Sequence, residues 1–212
     1  MNYVKQLGNL GESRPFLFSY RRCPYAMRAR MALLACQIDF DIQEISLKDK
    51  PGKMLNISPK GTVPVLVYKD LVLDESLDIM NWAKTKKNDK YIKINASDMD
   101  FVKKMIEIND GEFKKNLDLY KYTSNKDYDL KKTYRKDCED FIKKLDERLV
   151  SNDYLLSNTF GYLDIAIFPF IRQFFNVDSD WLEKNTYTNL KRWVERISIS
   201  NLFIQIMQKP KV

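Results

Sequence analysis

The sequence of 212 residues contains no histidine. This absence excludes catalysis by Ser-His or Cys-His pairs, and it excludes metal sites built from imidazole ligands. Any general acid or base is therefore a carboxylate, a tyrosine, a lysine or a cysteine. We predict no metal centre.

Cysteine is also scarce, and the three thiols are Cys23, Cys36 and Cys138. They are too far apart for a CxxC pair or a zinc knuckle, and without a disulfide framework they indicate a reducing compartment. We expect Cys36 and Cys138 to fill apolar cores. The N-terminus lacks the apolar stretch of a signal peptide, and no apolar run is long enough to span a bilayer. We therefore expect a cytoplasmic protein with no membrane partner.

The amino-acid composition predicts a packed core, because 44% of the residues are hydrophobic and 13% are aromatic. The net charge is +7, from 36 basic and 29 acidic residues, and it is spread along the chain. Such a mild excess suits a small anionic ligand. No nucleic-acid-binding module is recognisable, so we expect no nucleic-acid partner.

The first 84 residues alternate between strand and helix patterns. The predicted strands are 16–19, 40–45, 65–68 and 71–73, and the predicted helices are 24–35, about 53–57 and one that begins near Ser76. The order is βαβ followed by ββα. A charged run that begins at Thr85 has no apolar residue and predicts a linker over 85–97. Helical periodicity then continues over 98–212.

Residues 21–30 read RRCPYAMRAR and follow the first predicted strand. Cys23 would lie just outside the helix start, with Pro24 at the first helical position, where its missing N–H does no harm. The helix N-terminus and the charges of Arg21 and Arg22 would favour the thiolate, and such surroundings lower a cysteine pKa from about 8.5 to roughly 3.5–7.5. The alternative is a small apolar residue at the edge of a core.

This order of elements resembles the cytosolic glutathione S-transferase superfamily over nearly the whole chain. The likeness is greatest to its cysteine-type members, the omega-like and bacterial branch that borders the two-domain glutaredoxins. Five segments carry it, in the expected order: Cys23-Pro24-Tyr25-Ala26, Lys50 before Pro51, Thr62-Val63-Pro64-Val65-Leu66, Asp74-Glu75-Ser76 and Gly161-Tyr162-Leu163-Asp164-Ile165-Ala166. Gly161 departs from the pattern, since relatives carry Ser or Thr there and glycine offers no side-chain cap.

The resemblance implies a fold class. It is an α/β thioredoxin-like N-terminal domain with a mixed four-stranded sheet, over 1–84, and an all-α C-terminal domain over 98–212, joined by the linker 85–97. The first 14 residues would be an irregular lead-in. The resemblance also implies a homodimer.

The resemblance further implies that glutathione is a co-substrate, and it assigns a site residue to each part of the tripeptide. The backbone of Val63, before a cis Pro64, would pair with the cysteinyl unit. Glu75 would meet the ammonium and Ser76 the γ-glutamyl carboxylate, while Lys50 would meet the glycine carboxylate. The alternatives are a plain strand start, a helix cap with a first-turn acid, and a solvated surface lysine.

Other residues have less definite roles. Tyr25 could lend its hydroxyl to the site, or it could pack on the helix. Arg28 and Arg30 cannot both face the site, and we expect at least one to be solvated or paired with a carboxylate of the helical domain. Met105 and Asn109 are candidates for an acceptor pocket; their alternative is helical core.

These residues predict a glutathione-dependent thiol transferase or reductase with Cys23 as its single nucleophile. Its second substrate would be a small electrophile or disulfide. A cysteine thiolate would repel the glutathione thiolate and readily form a mixed disulfide with it. Ala26 stands where dithiol glutaredoxins have a second cysteine, so a second glutathione would resolve the disulfide. The alternatives are a glutathione-conjugating transferase and a non-enzymatic binding protein of the stringent-starvation type.

Overall fold

A computed structural model describes residues 1–4, 10–86 and 94–209. These residues fall into two compact units. The first, here called the N-terminal unit, takes in the chain up to residue 93 and again from Ser200 onward. The second, here called the helical unit, is Ile94–Ile199. Within the described ranges, no helix combines the length and the apolar character needed to cross a bilayer.

The N-terminal unit is built on a five-stranded sheet. Its strands are β1 (Asn2–Tyr3), β2 (Phe16–Ser19), β3 (Asp41–Glu44), β4 (Val65–Tyr68) and β5 (Leu71–Leu73), in the order β1-β3-β2-β4-β5. The first three strands are parallel and the last two are antiparallel to their neighbours. The mixed sheet was predicted, but four strands was wrong, because β1 pairs with β3 at the edge. Two residues are too few to show an alternating pattern.

Four helices accompany this sheet: α1 (Pro24–Ala35), α2 (Gly52–Ile57), α3 (Ser76–Lys86) and α10 (Asn201–Ile206). The predicted strand at 16–19 and helix at 24–35 are confirmed residue by residue. Pro24, at the first helical position, marks where α1 begins. Most side chains of α1 are buried, so the helix is covered on nearly all sides. Helix α1 packs against both α3 and α10.

The helix α10 differs from the prediction of a helical domain over 98–212. Its buried residues, Phe203 and Ile206, belong to the N-terminal unit, where α10 packs against α1. Amphipathic periodicity shows that a helix covers a core, but it does not show which core. Of the predicted linker 85–97, Thr85 and Lys86 are the end of α3, and residues 87–93 lie outside the described residues.

The helical unit contains a 3-10 turn and a π-helical segment besides its α-helices. Its elements are the 3-10 turn Ala96–Asp98, α4 (Met99–Ile108), the π-helical segment Asn109–Phe113, α5 (Lys114–Tyr122), α6 (Tyr128–Arg148), α7 (Tyr162–Phe175), α8 (Ser179–Glu183) and α9 (Thr188–Ser198). Helix α7 is buried almost throughout, and it packs against α4, α5 and α9. An all-round apolar helix of this kind forms the centre of a domain.

A buried carboxylate holds the start of α7. Asp164 is fully buried and accepts hydrogen bonds from the backbone N–H of Gly161 at 2.9 Å and of Leu155 at 3.0 Å, and from Trp193 Nε1 at 2.7 Å. Burial raises the pKa of Asp164 to about 6, against the opposing effect of these hydrogen bonds. The carboxylate therefore supplies a cap from within the helix, where Gly161 has no side chain to do so.

Candidate active site

Cys23 caps the N-terminus of α1. Its backbone is extended, with φ −73° and ψ 124°, and Pro24 follows at the first helical position, as the sequence predicts. The side chain is half-buried and packs against the apolar cluster that contains Ala26 and Val63. The sulfur makes no capping hydrogen bond to the first turn; it lies 3.7 Å from the carbonyl oxygen of Val63.

Two buried polar side chains hold the corner before Cys23. Arg30 is fully buried on α1, and its Nη2 donates a hydrogen bond of 2.6 Å to the carbonyl oxygen of Arg21. Glu44, the last residue of β3, accepts a bond of 2.7 Å from the Arg21 backbone N–H. Its other oxygen lies 4.0 Å from Arg30 Nη1. The corner is thus fastened to both α1 and the sheet.

Arg30 also places positive charge near the sulfur. Burial lowers the pKa of Arg30 to about 10, against the opposing charges of Glu44 and Cys23. A group with that pKa is still protonated at neutral pH. Neither Arg28 nor Arg30 is solvated, since both are fully buried. The sequence interpretation considered Arg30 only as a solvated residue or a partner of the helical domain, and it missed this burial beside Glu44. A basic residue on a helix is usually solvated, and nothing in the local pattern marks its burial.

The Val63–Pro64 peptide bond is cis, as the resemblance implies. The preceding turn contains Gly61, whose φ is +64°, a value that favours glycine. Lys50 is exposed, and its Nζ lies 3.6 Å from the position a Gly61 Cβ would occupy. Lys50 therefore lies along the loop that leads into Pro64.

Ser76 is the first residue of α3 and is almost fully buried. Its hydroxyl accepts a hydrogen bond of 3.1 Å from Arg28 Nη1. Because Arg28 lies on α1, this bond joins the two helices whose N-termini carry Cys23 and Ser76. The role of Arg28 was not predicted; its spacing of five residues from Cys23 is the only local signal.

Glu75 precedes α3 and is exposed to solvent over 59% of its side chain. It forms an ion pair with Lys60, and this hydrogen bond raises the pKa of Lys60. Next to it, Asp74 accepts a bond of 2.7 Å from the Ser58 hydroxyl. Lys60 is a second residue that the sequence interpretation missed, because only the turn between α2 and β4 brings it to Glu75.

The remaining candidates divide between the two units. Tyr25 is half-buried, and its ring centroid lies 5.6 Å from the Arg28 guanidinium carbon. Met105 and Asn109 are buried in the helical unit, and Asn109 Nδ2 donates to Asp110 Oδ1 at 2.7 Å. Their assignment to an acceptor pocket stays a prediction.

The two other cysteines are buried, as predicted. Cys36 and Cys138 have no exposed surface. Burial raises the pKa of Cys138 to about 12. Of the three thiols, Cys23 alone has partial access to solvent.

Comparisons with known proteins agree with this geometry. The family model described as glutathione S-transferase, N-terminal domain, matches residues 22–86, and the corresponding C-terminal domain model matches residues 128–196. Glutathione S-transferase U28 of Arabidopsis thaliana is 26% identical over 176 residues, which cover 78% of this chain and 75% of the relative. Rat (Rattus norvegicus) glutathione S-transferase omega-2 is 38% identical over 69 residues, which cover 29% of this chain and 28% of the relative.

A solved structure shares the fold over most of the chain. It is a glutathione transferase family member from Pseudomonas fluorescens with two glutathione bound, and it superimposes with a TM-score of 0.80. The identity is 15%, and the match covers 93% of each chain. With both domain models matched in order and the fold in common, the chain belongs to the glutathione S-transferase superfamily.

Proposed function

We propose that this protein is a glutathione-dependent thiol transferase of the cysteine-type branch, in which Cys23 is the single nucleophile. The observation that carries the proposal is the position of Cys23 at the N-terminus of α1, half-buried, beside Val63 and its cis peptide bond to Pro64. A helix N-terminus and a buried guanidinium both favour a thiolate over a thiol. The short match to rat omega-2 supports the same branch.

The proposed glutathione site uses groups of the N-terminal unit. Val63 offers its backbone to the cysteinyl unit, in the manner of a strand added to a sheet edge. Ser76 and the start of α3 bind the γ-glutamyl carboxylate, Glu75 binds the ammonium, and Lys50 binds the glycine carboxylate. Tyr25 remains a possible accessory. When the cysteinyl unit of glutathione hydrogen-bonds to the Val63 carbonyl, the Cys23 thiol can no longer donate to that oxygen. The loss of this contact favours the Cys23 thiolate over the thiol.

The proposed reaction has two exchange steps. The Cys23 thiolate attacks the glutathionyl sulfur of a mixed disulfide, so that a Cys23–glutathione disulfide forms and the substrate leaves as its thiolate, which takes a proton. The thiolate of a second glutathione then attacks the glutathionyl sulfur on Cys23. Oxidised glutathione leaves, and the Cys23 thiolate is regenerated. The buried Ala26 provides no resolving thiol.

Conjugation of glutathione to an electrophile is a second candidate, which the name of the Arabidopsis relative favours. It requires the glutathione thiolate to form beside the Cys23 sulfur, where a Cys23 thiolate would repel it and where exchange of Cys23 with a glutathione-containing disulfide competes. The two activities are therefore distinguished by the sulfur of Cys23. We also propose, from the family, a homodimer, which gel filtration would test.

The test is turnover of a glutathionylated peptide with glutathione in excess, for the wild type, Cys23→Ser and the matched control Cys36→Ala. We expect the serine variant to lose at least about 100-fold in rate, because a serine hydroxyl is not ionised at neutral pH. The Cys36 variant should keep its rate. Full activity in Cys23→Ser would refute the mechanism. High turnover of an aryl halide by the wild type, with slow exchange of the glutathionylated peptide, would favour the second candidate.

A further inference from the structure

The helical unit contains a cavity that plays no part in the proposed exchange reaction. Its volume is about 300 Å³, and it lies between the end of α5, the first turns of α6 and the segment before α8. Tyr120, Tyr128, Lys131, Lys132, Arg135 and Asp178 are among its lining residues. This volume is at the lower end of the range of small-molecule sites.

Tyr120 is an unsatisfied donor in the wall of this cavity. Its side chain is 1% exposed; Arg135 approaches the hydroxyl oxygen as a donor, but the hydroxyl proton meets no acceptor among the described residues. Burial raises the pKa of Tyr120 to about 12, so the hydroxyl keeps its proton at neutral pH and offers a hydrogen bond. Buried polar groups in proteins are nearly always paired, and an exception at a cavity wall indicates a missing partner.

Arg135 is the second such group. Its guanidinium is held over the Trp181 ring, with its carbon 4.8 Å from the centroid. Nη1 lies 3.7 Å from an Asp178 carboxylate oxygen and Nε lies 3.5 Å from Glu139. Nε makes no hydrogen bond within the described part of the chain. Stacking on the Trp181 ring holds the guanidinium in position. Because both ion pairs are long, its N–H groups can still donate hydrogen bonds to a ligand.

The charge around the cavity points to the sign of the ligand. Lys131 is half-buried, and its Nζ donates to Asn125 Oδ1 at 2.6 Å. Lys132 is exposed. With Arg135, these residues give three positive charges against the lining carboxylate of Asp178, whose Oδ1 already accepts the backbone N–H of Trp181 at 2.9 Å. Glu139, which does not line the cavity, also lies against Arg135. The two unsatisfied groups are both donors, so the ligand they fit is an acceptor.

We propose that this cavity binds a small phosphate-bearing anion, held by the Tyr120 hydroxyl, the Arg135 guanidinium and the two lysines. The planar guanidinium and the two ammonium groups match the several acceptor oxygens of a phosphate. Tyr128 and Val177 would contact the body of the ligand. Cys23 is not among the lining residues, so ligand binding here does not require thiol exchange.

The test is calorimetric titration of the intact protein with inorganic phosphate and with phenyl phosphate, at constant ionic strength, with phenol as the uncharged counterpart. We expect saturable binding of phenyl phosphate, weaker binding of inorganic phosphate and no binding of phenol. Tyr120→Phe should weaken binding by about tenfold, as expected for one hydrogen bond to a charged group. Lys132→Gln should weaken it by about threefold, and the control Lys136→Gln, on the same helix but outside the cavity, should have no effect.

Thermal unfolding and the rate of Cys23 alkylation are two further measurements, which distinguish ligand binding from effects on folding or on thiol exchange. Tyr120→Phe removes an unsatisfied hydroxyl, so the ligand-free variant should unfold at the same temperature as the wild type or higher. All three variants should keep the wild-type rate of Cys23 alkylation, which separates this proposal from that of thiol exchange. Absence of saturable phosphate binding at about 20 mM ligand, or equal weakening by Lys132→Gln and Lys136→Gln, would overturn the proposal.

Discussion

The sulfur of Cys23 lies 3.7 Å from the carbonyl oxygen of Val63, across the corner where α1 begins and the loop of Pro64 ends. The two residues are 40 positions apart in the sequence. The sheet brings them together because β2, which precedes Cys23, is hydrogen-bonded to β4, which follows Pro64. The fold therefore places the half-buried Cys23 beside Val63 and its cis peptide bond to Pro64.

Arg30 is expected to tune the Cys23 thiol. Replacing it with Met should raise the thiol pKa by about one unit, because a buried positive charge near the sulfur is lost. Arg30→Lys should restore most of the effect, since it keeps the charge. The pH dependence of alkylation by iodoacetamide measures this, and the buried Cys36 and Cys138 should not contribute to it.

The matched control for Arg30 is Arg22→Gln, which removes an exposed charge next to Cys23. Solvent and salt screen such a charge, so its removal should shift the pKa much less. An alkylation midpoint that is the same in Arg30→Met and in the wild type would contradict the assignment. A far-ultraviolet circular dichroism spectrum would show that each variant is folded.

Lys50 is expected to recognise the glycine end of glutathione. Lys50→Met should raise the KM for glutathione by about threefold to tenfold, the cost of one partly exposed charge-assisted contact. It should leave the KM for γ-glutamylcysteine, which lacks the glycine, unchanged. Lys53→Met serves as a surface control three residues away. An equal loss for both thiols would show that Lys50 acts on the fold rather than on the ligand.

Lys60 occupies the position at Glu75 where the ligand ammonium would bind. Lys60→Gln should therefore lower the KM for glutathione, by up to about fivefold, since an exposed ion pair contributes only about 0.2–1 kcal/mol. Steady-state kinetics at fixed disulfide substrate would measure this. A higher KM in Lys60→Gln would instead show that Lys60 itself binds a glutathione carboxylate.

Asp164 makes the stability of the protein pH-dependent. Its pKa is raised from 3.8 to about 6 in the folded state. The folded state then binds more protons than the unfolded state between these values, so the contribution of Asp164 is largest below about pH 4 and falls as pH rises to about 6. The fall is up to about 3 kcal/mol.

Urea denaturation of the wild type and Asp164→Asn at pH 4.5 and 7.5 tests this point. Asparagine does not titrate, so the difference in free energy of unfolding between the two proteins isolates Asp164. That difference should be larger at pH 4.5. A difference that is equal at both pH values, or larger at pH 7.5, would show that the carboxylate is ionised throughout.

Local signals in the sequence predicted the elements that carry Cys23. The strand Phe16–Ser19 and the helix Pro24–Ala35 were predicted at the observed bounds, because a short apolar run and a proline at the first helical position are both local features. The motifs also predicted the cis peptide bond before Pro64 and a helix that begins near Ser76. Each of these predictions depends on residues that are close together in the sequence.

The remaining features depend on long-range packing. The strand β1 exists only because β3 offers it an edge, and α10 joins the N-terminal unit only because α1 offers it an apolar face. The burial of Arg30 and the bond from Arg28 to Ser76 follow from how α1 lies against its neighbours. No periodicity or spacing encodes such contacts.

The most direct test of the central claim is intact mass spectrometry of the protein after exposure to oxidised glutathione, followed by peptide mapping. We predict one glutathionyl group, attached to Cys23, removed by added glutathione and absent from Cys23→Ser. An unmodified Cys23, or a glutathionyl group carried by Cys36 or Cys138 in its place, would contradict the proposed role of Cys23.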